Sequence, residues 1–392
     1  MVTCSDFKFS RAIQFLGLKF LFGLVMVLAC LPGASNGASL VIWGSGLATN
    51  VPAPVVNANI GSLAAGSAHV LAMLADGSLN AWGDNSYSQC VLPAAATNTP
   101  VVAVAAGFYH SMALLPDSTV VAWGRNTYGQ STVPAGLSNV IAIAGGLAHS
   151  VALRSTGTVT NWGKYSDGVS GFSAEPFPAN YTNIVAIASG DNHDVLLSAD
   201  GRVLMWGLDY AGATELPEEF TNVVAIAAGG DTSAALTANG RLMAWGRDNF
   251  GQANVPGSLT NAIKFAVGTD HMLAIRADGT LTAWGKSDSG QTTVPPGMAN
   301  AAWAGAGKEY TVVLAGSATN IIPHRISLAP ALGSSMRIIF QTTAGRNFEL
   351  QRATGLPPGT WDPVTNGIGT GSTLQILEPL GGTQKYFRLK EW

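Results

Sequence analysis

The sequence predicts an all-β protein, a seven-bladed β-propeller with about three short strands per blade, sealed by its own chain ends and followed by a small C-terminal β module. Three observations carry this expectation. Trp-Gly pairs recur at Trp43, Trp82, Trp123, Trp162, Trp206, Trp245 and Trp284, at steps of 39, 41, 39, 44, 39 and 39 residues. The repeats begin and end out of phase, as a ring with a shared blade requires. The composition, with 47 glycines and only 11% charged residues, suits many short strands and tight turns rather than helices.

In chain order, the first element is a leader. Lys8, Arg11 and Lys19 precede an apolar run from Phe20 to Leu31, and small residues follow at Gly33, Ala34, Ser35, Gly37 and Ala38. That run is shorter than the roughly 20 apolar residues a spanning helix needs, so residues 1–37 read as a cleaved signal peptide and the protein as exported, with no membrane span. Lipid attachment at Cys30 is the lesser reading, because Leu28 is large for its place in such a box. Removing the leader takes Lys8, Arg11, Lys19 and Asp6 with it and moves the net charge from −3 to −5. An acidic chain disfavours nucleic acid as a partner. It also leaves Cys90 as the only cysteine, so packing and not disulfides must hold the fold.

Residues 38–316 form the repeats, of which Val101 to Pro134 is the cleanest copy. Each unit reads as an Ala-rich strand (Val101 to Ala105), a Gly-rich bend, a second strand (Ser111 to Leu115), a turn, and a third strand ending in Trp-Gly (Val120 to Trp123). The turns carry Asp76-Gly77, Asp200-Gly201, Asn239-Gly240 and Asp278-Gly279, pairs that tolerate the positive φ of tight hairpins. The exported chain opens with a third strand, Leu40 to Gly44, and the repeats close with a first and second strand, Asn300 to Ala304 and Tyr310 to Leu314. Pairing Leu40 to Gly44 with Tyr310 to Leu314 completes a seventh blade and removes the open sheet edges.

The recurring AG-xx-HS-x-AL-xx-DG-x-V-x-AWG-xN-xx-GQ pattern, seen in Ala106 to Gln130, resembles the repeat of the regulator of chromosome condensation propellers. The short units and Val-Pro segments are similar to the secreted bacterial branch of that family, which includes a β-lactamase-inhibitory protein. The resemblance spans about Leu40 to Gly316. It implies a propeller that binds another protein, without naming the partner.

Constant positions read as frame. The tryptophans fill wedges between blades. His69, His110, His149, His193 and His271 share one position, taken by Thr232 and Tyr310 in the other units, and read as braces of a bend rather than a metal ring. Gln89, Gln130, Gln252 and Gln291 stand seven residues after the tryptophan, and Pro93, Pro134, Pro217, Pro256 and Pro295 eleven after it, as a loop frame would. No G-x-S-x-G elbow, H-E-x-x-H helix, phosphate loop or Cys/His cage is present, so no catalytic, metal or cofactor site is expected.

Function then falls to the positions that vary. The bend before the histidine brings Phe108 and Tyr109, an aromatic spot, and Asp191, Asp194, Asp231, Asp270 and Glu309, an acidic arc. Two loops after Trp-Gly break the pattern. Gly163 to Thr182 is five residues longer and carries Tyr165, Asp167, Phe172, Glu175, Phe177 and Tyr181; Leu208 to Thr221 carries Asp209, Tyr210, Glu215, Glu218, Glu219 and Phe220. Aromatics ringed by acids suit a binding hot spot for a protein with a basic surface. The expected function is a secreted, monomeric, non-enzymatic protein-binding scaffold of inhibitor type. Competing readings are cell-surface adhesion, nucleotide exchange on a small GTPase, and a polysaccharide-active enzyme using paired carboxylates.

Beyond Gly316 the repeat stops. Met336 to Gln341, Phe348 to Arg352, Thr373 to Leu377 and Tyr386 to Leu389 read as strands of a small antiparallel module over 317–392, with turns at Gly355 to Gly359 and Gly381-Gly382.

Overall fold

The computed structural model describes residues 39–56, 58–165, 172–173, 176–216 and 222–315, and the strands of the C-terminal region. The leader with Cys30, the residues Asp167, Glu175, Pro217, Glu218, Glu219 and Phe220, and the turns at 355–359 and 381–382 lie outside the described residues. The chain divides into two compact units, one reaching in sequence to Ile321 and the other running from Ile322 to Trp392.

Between Ser39 and Ala315 the described residues form seven antiparallel sheets, six of them continuous in sequence. Blade one is built from Ile60–Ala65, His69–Leu74 and Leu79–Gly83. Blade two follows with Ala103–Ala106, His110–Leu114 and Val120–Gly124. Blade three has Val140–Gly145, His149–Arg154 and Val159–Tyr165, with the short Phe172–Ser173 added at its edge. Blades four, five and six end in the Trp-Gly strands Val203–Gly207, Leu242–Gly246 and Leu281–Gly285. The last blade joins Ala301–Ala306 and Tyr310–Ala315 to Ser39–Gly44 from the start of the chain. In it Leu40 pairs with Leu314 and Gly44 with Tyr310, the closure expected from the phase of the repeats. Each first strand touches the first strands of both neighbours, and Ile60–Ala65 touches Ala301–Ala306, so the ring is continuous.

The core sits in the wedges between blades. Leu71, Leu79, Ala113 and Trp123 pack between blades one and two, and Val195, Val203, Ala235 and Trp245 between four and five. In each of these wedges the tryptophan comes from the later blade, so one large ring per blade fills the gap that widens away from the axis. Truncating such a residue costs about 3–5 kcal/mol.

Backbone geometry explains the glycine of each Trp-Gly pair. Gly124 has φ +94°, and a Cβ there would stand 2.8 Å from the Tyr109 carbonyl oxygen and 2.9 Å from the His110 Cα. No other residue fits both the dihedral and the space. At the opposite end of the blades, Asp76 Oδ1 accepts from the Ser78 backbone N–H at 2.9 Å while Gly77 takes φ +82°, the turn expected from Asp-Gly.

Among the described residues the second unit holds six strands in two three-stranded antiparallel sheets. Ser335–Gln341 lies between Ser327–Pro330 and Thr373–Pro379, and Asn347–Ala353 lies between Asp362–Ile368 and Tyr386–Glu391. The four expected strands are present. Ser327–Pro330 and Asp362–Ile368 are additional, and their proline and turn residues hid them from pattern reading.

Candidate functional site

Strand direction decides where the variable positions lie. The first strand of each blade runs to the bend, the second starts there, and the third ends beside them, because His110 pairs with Gly124 and Ser111 with Ala106. The bends and the loops after Trp-Gly therefore occupy one rim. In all seven blades the residue after Trp-Gly donates its backbone N–H to the carbonyl just before the histidine position, as from Arg125 to Tyr109 at 2.9 Å. What the sequence presents as two separate variable sets is one surface.

Beneath the rim runs a belt of inter-blade hydrogen bonds. The imidazole Nε2 of each belt histidine meets the second strand of the next blade: His69 with Ser111 at 3.0 Å, His110 with Ser150 at 2.9 Å, His193 with Ser233 at 2.8 Å, and His271 with Thr311 at 2.9 Å. Each of these hydroxyls donates in turn to a loop carbonyl. Ser111 donates to Gln89 O and Ser150 to Gln130 O, both at 2.8 Å, and the same oxygens accept the indole N–H of Trp123 and Trp162. Because the hydroxyl proton goes to the carbonyl, Nε2 must carry the imidazole proton. Burial pushes these imidazoles down, to about 4 at His69, His193 and His271 and to about 3 at His110, so they are neutral at pH 7.

The belt assigns the histidines to bracing. They point to successive neighbours instead of a shared centre, and among the described residues no cluster of three or more His, Cys, Asp or Glu side chains is arranged to hold a metal. Nor is the Ser–His pairing a nucleophile and base. The serine proton is committed to a carbonyl, and Ser111, Ser150 and Ser233 are fully buried.

A signal for this belt stands in the sequence, although reading repeat by repeat passes over it. The residue after the belt position is Val70, Ser111, Ser150, Asp194, Ser233, Met272 and Thr311 in turn. It is polar where the preceding unit has a histidine. It is apolar at Met272 and Val70, which follow the units with Thr232 and Tyr310. Tyr310 instead donates to the carbonyls of Gly66 and His69, at 2.9 and 2.8 Å.

The loop glutamines hold the rim from behind. The Oε1 atoms of the buried Gln89, Gln130 and Gln252 accept the backbone N–H of Tyr87, Tyr128 and Phe250, each at 2.9 Å, fixing an aromatic residue two positions earlier. A cation two residues after the next tryptophan then covers that ring. Arg125 lies 5.0 Å from the Tyr87 centroid, Lys164 5.8 Å from Tyr128, and Lys286 5.0 Å from Phe250. Arg125 also faces Tyr109 at 5.4 Å and Tyr128 at 5.6 Å, and Tyr109 packs on Tyr87 and Phe108 with centroids 5.1 and 4.5 Å apart. Tyr87 is 43% exposed. This cluster over blades one to three unites the expected Phe108–Tyr109 spot with Tyr87, Arg125, Tyr128 and Lys164, which sequence reasoning took for frame or ignored.

The irregular loops behave differently. Tyr165 is a correction: its ring is only 3% exposed and lies against His149, with centroids 4.5 Å apart, so it offers nothing to a partner. The cause is Asp194, which takes the serine place in the belt and is fully buried, not on the acidic arc. Asp194 receives His149 Nε2 at 3.0 Å, Tyr165 Oη at 2.5 Å and Ser189 Oγ at 2.7 Å. Burial opposes its ionisation, but the His149 ring and these three hydrogen bonds hold its carboxyl below the ordinary range. Phe177 and Tyr181 are likewise partly buried. They pack with Leu153, Ile184 and Leu196 and stand 6.1 and 6.2 Å from the Trp206 ring, filling the wedge between blades three and four. Tyr181 Oη donates to Met205 O at 3.0 Å. The Phe172 backbone pairs with Tyr165 at the blade edge. Asp209 is exposed and accepts the Thr214 N–H at 2.8 Å, and Tyr210 is partly buried beside it.

Of the remaining acids, Asp191 lies near the axis. A cavity of about 110 Å³ is lined by the ends of all seven first strands, including Gly66, Gly107, Gly146 and Asp191. Burial, then the nearby Asp231 carboxylate, push the Asp191 carboxyl up to about 7. Asp270 is balanced by Arg247 at 3.5 Å and Lys286 at 4.0 Å. Cys90 is free, and burial raises its thiol to about 11, so it is not a reactive thiolate.

The family model described as the regulator of chromosome condensation (RCC1) repeat matches residues 62–89, 101–130, 184–213, 223–252 and 262–291. The two blades it leaves out are the one with the long loop and the one split between the chain ends. No curated protein matches the chain significantly. Solved structures do. Prp20p from Saccharomyces cerevisiae, described with its binding to Gsp1p and histones, is 19% identical over 73% of this chain and 93% of its own, with a TM-score of 0.60. Yeast RCC1 (Prp20) in complex with Kap60 gives 21% identity over 76% and 92%, with a TM-score of 0.62. The CRINKLY ectodomain of the Arabidopsis thaliana receptor kinase ACR4 gives 19% over 65% and 92%, at 0.51. At these identities the likeness is one of fold. The chain thus carries RCC1 repeats in a closed ring of three-stranded sheets, and its fold is that of an RCC1-like β-propeller.

Proposed function

We propose that this chain is an exported, non-enzymatic protein-binding scaffold that engages its partner through the aromatic and cationic cluster on the rim of blades one to three. One observation carries the reading: Tyr87, Tyr109 and Tyr128 surround Arg125 on a surface held from below by buried glutamines and the histidine belt. Tyrosine and arginine are among the residues most enriched at binding hot spots, and a pre-fixed surface loses little entropy when it docks. The propellers it resembles in fold include proteins whose structures are described with protein partners. The leader supports export, and the commitment of each belt serine to a carbonyl supports a non-catalytic role. Among the described residues no helix is long and apolar enough to cross a membrane.

The test is capture from the secreted fraction of the producing organism. The bait is the full exported chain, beside a Phe108→Ala/Tyr109→Ala variant of matched thermal midpoint. A protein retained by the first and lost by the second is the expected outcome. Equal retention by both refutes the rim as the binding surface.

A further inference from the structure

The cations two residues after the tryptophan are not equivalent. On blades five and six, Arg247 and Lys286 are neutralised within the chain: both face Asp270, and Lys286 also faces Asp288 at 3.8 Å. On blade two, Arg125 holds the same position and has no carboxylate partner among the described residues. Its Nε donates weakly to Thr127 Oγ1 at 3.3 Å. Three tyrosine rings approach its guanidinium carbon, at 5.0, 5.4 and 5.6 Å. Rings packed around a guanidinium shield it from water and leave its Nη edge as the free donor, the geometry that receives a carboxylate in a paired, two-bond contact.

We infer that the Arg125 cluster receives a carboxylate-bearing segment of the partner protein, with an Asp or Glu side chain on the guanidinium edge and an adjacent aromatic or large apolar side chain against Tyr87, Tyr109 or Phe108. This rests on the proposed binding role of the rim and specifies its partner. It reverses the sign expected from the acidic arc, of which Asp194 is buried in the belt and Asp270 is paired. A short acidic segment also fits the rest of the rim better than an extended polyanion. Asp209 is exposed on a following blade of the same rim, and the chain as a whole carries −3. A long polyphosphate or sulfated chain crossing that blade would meet like charge.

The experiment is selection of random twelve-residue peptides, displayed on phage, against the full exported chain. Enriched peptides should pair Asp or Glu with a neighbouring aromatic or large apolar residue. Their affinity should drop about tenfold or more in Arg125→Ala, and measurably in Arg125→Lys, which keeps the charge but not the fork. Binding should also weaken between 50 and 300 mM salt, as a charge-steered contact does when screening lengths shorten. Enriched peptides that are basic or uncharged, or the absence of any Arg125-dependent peptide, overturn the inference. Peptides that lack acids yet are lost in Phe108→Ala/Tyr109→Ala would sink the acidic partner alone and leave the rim as a binding surface. Peptides indifferent to every rim substitution sink both. Heparin binding at the Arg125 cluster more tightly than any selected peptide would assign it to polyanions and overturn the inference.

Discussion

Ser150→Ala isolates one link of the belt. In the native structure the Ser150 hydroxyl accepts from His110 Nε2 at 2.9 Å and donates to Gln130 O at 2.8 Å, with His110 and Ser150 both fully buried. Removing it leaves the Gln130 carbonyl still occupied by the Trp162 indole N–H at 2.9 Å. The His110 N–H, however, loses its acceptor where water cannot reach it. One neutral hydrogen bond is worth about 1 kcal/mol, and a stranded buried donor costs about 1–3 kcal/mol more, so the expected loss is about 2–4 kcal/mol. In urea unfolding followed by tryptophan fluorescence, with a slope of about 3 kcal/mol/M, the midpoint should fall by about 0.7–1.3 M at unchanged slope. Ser150→Thr supplies the control, because Thr311 fills the same place opposite His271 at 2.9 Å. It should retain stability to within about 0.5 kcal/mol, as an isofunctional change away from new strain does. A loss below that size in Ser150→Ala, or an equal loss in Ser150→Thr, would refute the belt as a source of stability.

Acid should open the ring through the same histidines. His69, His110, His193 and His271 have folded-state values below the ordinary 6.5, so their unfolded forms bind protons first. Stability is thus full above about pH 6.5 and falls as pH drops toward 4, by about 2 kcal/mol per histidine at pH 5. Asp191, held up at about 7, and Asp231, raised by burial, work the other way, but they are two groups against four. Urea midpoints measured from pH 7.5 to 5 should fall steadily, and a flat profile would contradict neutral belt imidazoles. Tyr165→Phe removes one hydrogen bond to the buried Asp194 and should cost about 1.5–3 kcal/mol in the same urea assay. It should leave capture of the partner unchanged; lost capture at full stability would return Tyr165 to the binding surface.

How much of this was readable in the linear chain follows from how local each feature is. The Trp-Gly period, the Asp-Gly turns and the phase of the ends depend on neighbours a few residues apart or on counting, and they predicted seven blades and their closure. The belt left a trace too, in the match between each histidine and the residue after the next one. It escapes a unit-by-unit reading because the match runs between units about 40 residues apart, not within one. Loop irregularity misled. Tyr165, Phe177 and Tyr181 look like a presented aromatic patch, yet the longer loop turns them inward to satisfy Asp194 and to fill a wedge.

From the order of residues alone come the number of blades, the shared closing blade, the framing role of tryptophan and histidine, and the aromatic pair Phe108–Tyr109. Only the tertiary structure decided that bends and loops share one rim, that Arg125 gathers three tyrosines from separate segments, and that Asp194 is buried. The physical reason is that a side chain's partners here are set by the neighbouring blade. Burial, ion pairing and stacking are properties of that contact, and no single unit contains it.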